Sequence, residues 1–154
     1  MIFGHRGVPL EHQENTLAGF QRAIALGLDG VELDVFLTKD QKLVVFHDLD
    51  TERLTGVSGK ITEMTWAEIQ QLEIKQSLDV GDEVMDYGKP EKIVLLEDVL
   101  EETRGKLIVD IEIKAYSLDF GQRHTGTAVA NLIKKWALKK MFSSRRLIFG
   151  QCGG

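Results

Sequence analysis

Two short segments hold acidic residues at a spacing that a β-strand would aim in one direction. In Gly30-Val31-Glu32-Leu33-Asp34-Val35, Glu32 and Asp34 stand two apart. In Asp110-Ile111-Glu112-Ile113-Lys114, two carboxylates and an ammonium alternate with apolar residues. Side chains two apart on a strand share a face, so each segment presents a charged side opposite an apolar one. Carboxylates facing a sheet interior are costly unless they are paired or bind a cation. Carboxylate oxygens from two strands suit a hard divalent ion such as Mg²⁺ or Ca²⁺. On parity alone, a solvated strand face is the simpler explanation, with Lys114 pairing to Glu112 or Asp110.

Two further pairs shift that balance. His5-Arg6 follows the apolar run Met1-Ile2-Phe3-Gly4, and His47-Asp48 follows Leu43-Val44-Val45-Phe46. In α/β sheets, sites are built at the C-terminal ends of strands. Histidine exchanges a proton near neutral pH, and arginine grips phosphate through two parallel hydrogen bonds. Together with the carboxylates they form a coherent set for phosphoryl chemistry. Asp48 is read mainly as a loop residue, with orientation of a histidine as the alternative.

These residues must be positioned by a small number of elements. Leu17, Phe20 and Ile24 fall at helical spacing after Asn15 and Thr16, both good N-caps, and Gly27 is a suitable stop. A helix is expected over about 16–26. Strands are expected at Gly30–Val35 and Leu43–His47, joined by the polar turn at 38–42. That short connection suggests a hairpin, which conflicts with a purely parallel sheet. Within 50–95, read as an insertion or lid, Thr65 caps a short helix and the glycine-bearing stretch Gly81–Pro90 reads as a surface loop. A helix follows at Leu96–Thr103, a strand at Leu107–Ile113, a helix at Thr125–Lys140 with Val129, Leu132, Ile133 and Trp136 on its apolar side, and a last strand at Leu147–Phe149. This alternation favours an α/β fold with a largely parallel sheet.

The strings GHRG, ENTLAGF, GLDGVELDVFLTKD, LVVFHD and RLTG, followed later by DIEIK, resemble the glycerophosphodiester phosphodiesterase family in content and order. The resemblance runs from about residue 3 to 140. It implies a TIM-type (β/α) barrel that hydrolyses glycerophosphodiesters to glycerol 3-phosphate and an alcohol with a divalent metal, Mg²⁺ or Ca²⁺. It also implies Glu32, Asp34 and Glu112 as metal ligands, His5 and His47 as the acid/base pair, and Arg6 and Lys114 as phosphate contacts. Asn15 matches the family's asparagine-threonine step, but helix capping explains it. His12 and His124 read as surface residues, and Trp66 and Trp136 as core.

A closed barrel needs eight strands and about 250 residues. This chain has 154 residues and about five candidate strands, so the expectation is one barrel domain over 1–154, incomplete at its C-terminal side. A truncated, inactive remnant and a related barrel phospholipase-type phosphodiesterase remain as alternatives. The net charge of −5 argues against a nucleic-acid partner, which leaves a basic footprint. The late basic cluster Lys134, Lys135, Lys139, Lys140, Arg145 and Arg146 reads as a solvated surface. The expected partner is a small glycerophosphodiester. One cysteine, Cys152, makes no disulfide within the chain. The absence of a signal-like start or a membrane-spanning apolar run points to a cytoplasmic protein without an integral membrane segment.

Overall fold

The strand Gly30–Leu37 organises the molecule because it is buried along its length and paired on both edges. The computed structural model describes residues 1–114 and 124–145. In chain order these form β1 (Phe3–His5), α1 (Leu17–Ala25), β2 (Gly30–Leu37), β3 (Leu43–Val45), α2 (Glu52–Thr55), a 3-10 turn (Ile61–Glu63) and α3 (Trp66–Ile69). They continue as β4 (Ser77–Val80), β5 (Glu83–Asp86), β6 (Val94–Leu95), α4 (Leu96–Thr103), β7 (Ile108–Ile113) and α5 (Thr125–Arg145).

β2 pairs in parallel with β1, setting His5 opposite Glu32, and with β7, setting Asp34 opposite Glu112. A strand has only two edges. β3 pairs antiparallel with Val35, Phe36 and Leu37 and therefore shares β2's β1 edge, just beyond the end of β1. β6 then pairs antiparallel with β3. The sheet is thus mixed rather than largely parallel, and the hairpin suggested by the short 38–42 turn is real. In that turn Thr38 Oγ1 donates to Asp40 and accepts from the Lys42 backbone, which closes the chain locally.

Residue parity divides the packing. Val31, Leu33, Val35 and Leu37 of β2 join Leu43 and Val45 of β3 in a core with Phe20 and Ala23 of α1, Leu96 and Val99 of α4 and Val129 of α5. Val109 and Ile111 of β7 pack against the same core. On the opposite face, Glu32 and Asp34 are followed by Phe36, which packs with Val44, Phe46, Leu54, Ile61, Ile69 and Leu72 in a second core. One face is dry and helix-covered. The other is charged and ends under the segment between β3 and β6. Parallel β1, β2 and β7 with helices on one side form an incomplete α/β barrel wall.

Several expectations change. Thr16, not Asn15, caps α1, accepting from the Gly19 backbone through its hydroxyl. The stretch read as the loop Gly81–Pro90 contributes to a hairpin, β4–β5, around Gly81 and Asp82. Ser77-Leu78-Asp79-Val80 does alternate, with Leu78 buried, but it spans only four residues, and in β5 Val84 and Met85 are adjacent and Val84 is exposed. The pattern is too short to mark the hairpin against its glycine-bearing turn. The strand at 43 stops at Val45, two residues before His47. Trp66 and Trp136 are half-buried rather than core, and Ile133 is 43% exposed, off the packed face of α5. Leu147–Phe149, Arg146 and Cys152 lie outside the described residues; of Lys139, Lys140 and Arg145 only the helical backbone is described, while Lys134 and Lys135 are exposed as expected.

Candidate active site

The site begins with a tight turn after β1. A Cβ on Gly4 would meet the Gly7 carbonyl oxygen at 2.2 Å, so only glycine allows the chain to fold back there. Arg6 follows with φ 56°, a left-handed conformation that arginine adopts at a cost on the order of 1 kcal/mol. Its backbone N–H donates both to the Glu32 carbonyl at 3.0 Å and to Glu32 Oε2 at 3.2 Å. The bend brings the guanidinium to Asp34, with Arg6 Nε 3.2 Å from Asp34 Oδ2.

Parity and register then assemble the carboxylates. Glu32 and Asp34 share the inner face of β2, and Glu112 stands beside Asp34 on β7. One oxygen from each lies within 4.8 Å of the others. Asp110, opposite Glu32 on the same strand face, is not part of this group. Ligand oxygens around one divalent ion at 2.1–2.5 Å sit up to about 5 Å apart, so the spacing fits a single Mg²⁺ or Ca²⁺. Glu32 Oε1 is buried without a hydrogen bond, which is the condition a cation relieves. The donor set therefore fits a hard divalent ion.

Protein cations answer part of this charge. Lys114, 8% exposed, has its Nζ 3.0 Å from Asp34 Oδ1 and 2.5 Å from Glu112 Oε1. Burial alone would lower the lysine's pKa, but its bonds to Glu112 and Asp34 outweigh it and raise it. The same Lys114 bond, against some burial, holds the Glu112 carboxyl below its ordinary value. Glu32 has no such cation. Burial first, and the charge of Asp34 second, push its carboxyl above its ordinary value despite the hydrogen bond from the Arg6 backbone.

Both expected histidines border the carboxylates. His5 Nε2 is 3.7 Å from Glu32 Oε2, and the ring is largely exposed at the rim. His47 follows Phe46, whose N–H donates to the Asp34 carbonyl at 2.9 Å, and its ring lies within electrostatic reach of Glu112. His47 Nδ1 donates to Asp48 Oδ1 at 2.6 Å, so Asp48 orients a histidine rather than serving mainly its loop. All seven site residues suggested by the strands and strand ends meet here. His12 is half-buried and His124 is exposed; neither adds to this group.

Three residues outside the expected set join the site, among them Asn15, whose match to the family's asparagine-threonine step was attributed to helix capping. Asn15 is fully buried and takes φ 57°. Its amide donates to Asp34 Oδ2 at 2.8 Å. Because Thr16 suffices as the cap, the tolerance of asparagine for left-handed backbone was the available signal. Glu14 and Arg53 are 39 residues apart and joined by two hydrogen bonds. No local pattern announces that pairing.

Known proteins resemble this chain in sequence and in fold. The model of the glycerophosphoryl diester phosphodiesterase family matches residues 5–152. A glycerophosphodiester phosphodiesterase of Caldanaerobacter subterraneus subsp. tengcongensis is 40% identical over 116 residues, covering 75% of this chain and 45% of that protein. A lysophospholipase D of Mus musculus is 37% identical over 97 residues, covering 63% of this chain and 31% of that protein. The crystal structure of a glycerophosphodiester phosphodiesterase from Thermotoga maritima superposes with a TM-score of 0.67 at 38% identity, covering 86% of this chain and 49% of the other. A phosphodiesterase from Oleispira antarctica, solved with the product sn-glycerol-3-phosphate, gives a TM-score of 0.70 at 27% identity, covering 86% and 51%. The chain spans about half the length of these bacterial relatives. Among the described residues no helix is long and apolar enough to cross a membrane.

Proposed function

Given that the chain belongs to the glycerophosphoryl diester phosphodiesterase family, we propose that it carries the reaction centre for metal-dependent hydrolysis of glycerophosphodiesters to sn-glycerol 3-phosphate and an alcohol. The observation that carries this reading is the meeting of three carboxylates from two strands within 4.8 Å, bordered by His5, His47, Arg6 and Lys114. Glu32, Asp34 and Glu112 would hold one Mg²⁺ or Ca²⁺. The ion, when bound, neutralises phosphate charge and makes phosphorus more electrophilic.

The remaining steps belong to the chain's own side chains. With Asp34 committed to the ion, Arg6 and Lys114 turn spare N–H donors to the nonbridging phosphate oxygens. One of His5 and His47 accepts the proton of the attacking oxygen, from water or from the glycerol hydroxyl beside the phosphate. The other gives a proton to the alkoxide as its bond to phosphorus breaks. The segment between β3 and β6 acts as a lid over this face. The substrate is a small phosphodiester, in keeping with a net charge of −5 that disfavours nucleic acid.

The test is glycerol 3-phosphate release from glycerophosphocholine by the purified chain, with Mg²⁺ or Ca²⁺ and with a chelator. Release is expected with metal alone and is lost in Glu32→Gln and Glu112→Gln. At about 100-fold excess over Kd the ion contributes about 2.7 kcal/mol to stability, raising Tm on the order of 5–10 °C for a chain of this size. No metal-dependent rise in Tm would overturn the ligand assignment. A second reading is a chain that holds the ion without turnover; a folded chain that gains stability with metal yet releases nothing would establish it. Preferential cleavage of sphingomyelin or phosphatidylinositol would point instead to a phospholipase-type specificity.

A further inference from the structure

Between His47 and Arg6 runs a continuous set of ion pairs that the proposed reaction does not use. Arg53 lies in the first turn of α2, on the segment between β3 and β6. Its Nε donates to Asp48 Oδ2 at 2.5 Å. Its Nη1 and Nη2 donate to the two oxygens of Glu14 at 3.1 and 2.7 Å. Asp48 in turn accepts from His47 Nδ1 at 2.6 Å, and Glu14 accepts from Arg6 Nη1 at 3.2 Å. One guanidinium therefore ties the loop after β1 to the loop after β3.

We propose that Arg53 is a positioning residue for this site: by clamping Asp48 and Glu14 together it holds neutral His47 as the Nδ1–H tautomer, with its Nε2 lone pair free, and steadies Arg6. The inference rests on the phosphodiesterase reading for its purpose, but not for its geometry. An ionised carboxylate only accepts, so a 2.6 Å contact to Nδ1 places the proton on that nitrogen. Burial tends to raise the Asp48 carboxyl, yet the hydrogen bonds from Arg53 and His47 outweigh it and lower it, which keeps it an acceptor. Burial likewise disfavours the Arg53 charge, and Glu14 and Asp48 override that as well. The planar fork spans both acids at once. A lysine's single nitrogen cannot reproduce the two-nitrogen grip on Glu14 together with the third bond to Asp48. An imidazole without such a partner favours the Nε2–H tautomer, which would leave His47 with no lone pair at Nε2.

The test uses the full chain labelled with ¹⁵N-histidine, with two-bond ¹H–¹⁵N correlations reading the tautomer and His47→Gln assigning the signals. Wild type is expected to show neutral His47 as Nδ1–H. In Arg53→Gln, and equally in Arg53→Lys, the Nε2–H form is expected to rise at least severalfold while the other histidines keep their shifts. Arg53 is 44% exposed on its side chain, so these variants retain the fold. Wild-type His47 found as Nε2–H would overturn the proposal without any variant. So would Arg53 variants that lose thermal stability but leave the tautomer unchanged, because Arg53 would then be a structural brace only. The tautomer is read without substrate or metal, so an absence of glycerol 3-phosphate release bears on the proposed reaction and leaves this outcome standing.

Discussion

Asp48 sits between an arginine and a histidine with about a quarter of its side chain exposed. Its lowered pKa has a definite consequence for stability against pH. Folded, the carboxyl gives up its proton more readily than in the unfolded chain, where the ordinary value is about 3.9. The unfolded state therefore binds more protons in acid, and the stabilisation is complete above that value and lost as pH falls through the folded one. Asp48→Asn removes it. Urea denaturation should find the variant about 1 kcal/mol less stable at neutral pH, a modest figure because solvent screens part of the interaction. The gap should begin to close as pH falls below about 4; a gap that persisted undiminished at pH 3 would contradict the pairing. At this scale Glu32, Asp34 and Glu112 were legible because strand parity fixes which side chains share a face. Glu14 and Arg53 were not, because they are distant in sequence and no periodicity links them, and Asn15 was assigned to a cap that Thr16 supplies.

Gly30 shows how the elements carry the site. It stands opposite Phe3 on β1 and Ile108 on β7. A Cβ there would meet the Phe3 ring at 2.5 Å and the Ile108 carbonyl oxygen at 2.6 Å. The ring can turn away, but the carbonyl belongs to a strand whose register also sets Glu112 beside Asp34. Gly30→Ala is expected to cost about 2 kcal/mol by crowding the strands, and to weaken Mg²⁺ or Ca²⁺ binding as β7 shifts. Denaturation and calorimetric titration measure the two effects; unchanged metal affinity would mean that the register tolerates the methyl group. Helices α1, α3 and α4 were readable from spacing and caps, and Thr65 makes the full reciprocal cap with Glu68. The hairpin β4–β5 was not readable, because its alternation is confined to the four residues of β4 and is broken by the adjacent Val84 and Met85 of β5.

Across the whole molecule, the barrel wall was anticipated from the order of the motifs, whereas the mixed sheet depended on β3 doubling back along the edge that β2 also offers to β1. That reversal opens the long stretch from β3 to β6, which packs against Phe36 on the same side of β2 as Glu32 and Asp34. The stretch is then sewn to the loop after β1. Gln13, 1% exposed, donates through its amide to the carbonyls of Lys75 and Lys89 at 3.3 and 2.7 Å, and the Tyr87 hydroxyl donates to the Pro9 carbonyl at 2.7 Å. Two segments more than sixty residues apart are thereby a single cooperative opening unit. In native-state amide exchange they should release their protons with one shared free energy, and Gln13→Ala should split them into two. A segment stitched to the same loop that bears Arg6 does not move alone: whenever it breathes, the guanidinium breathes with it.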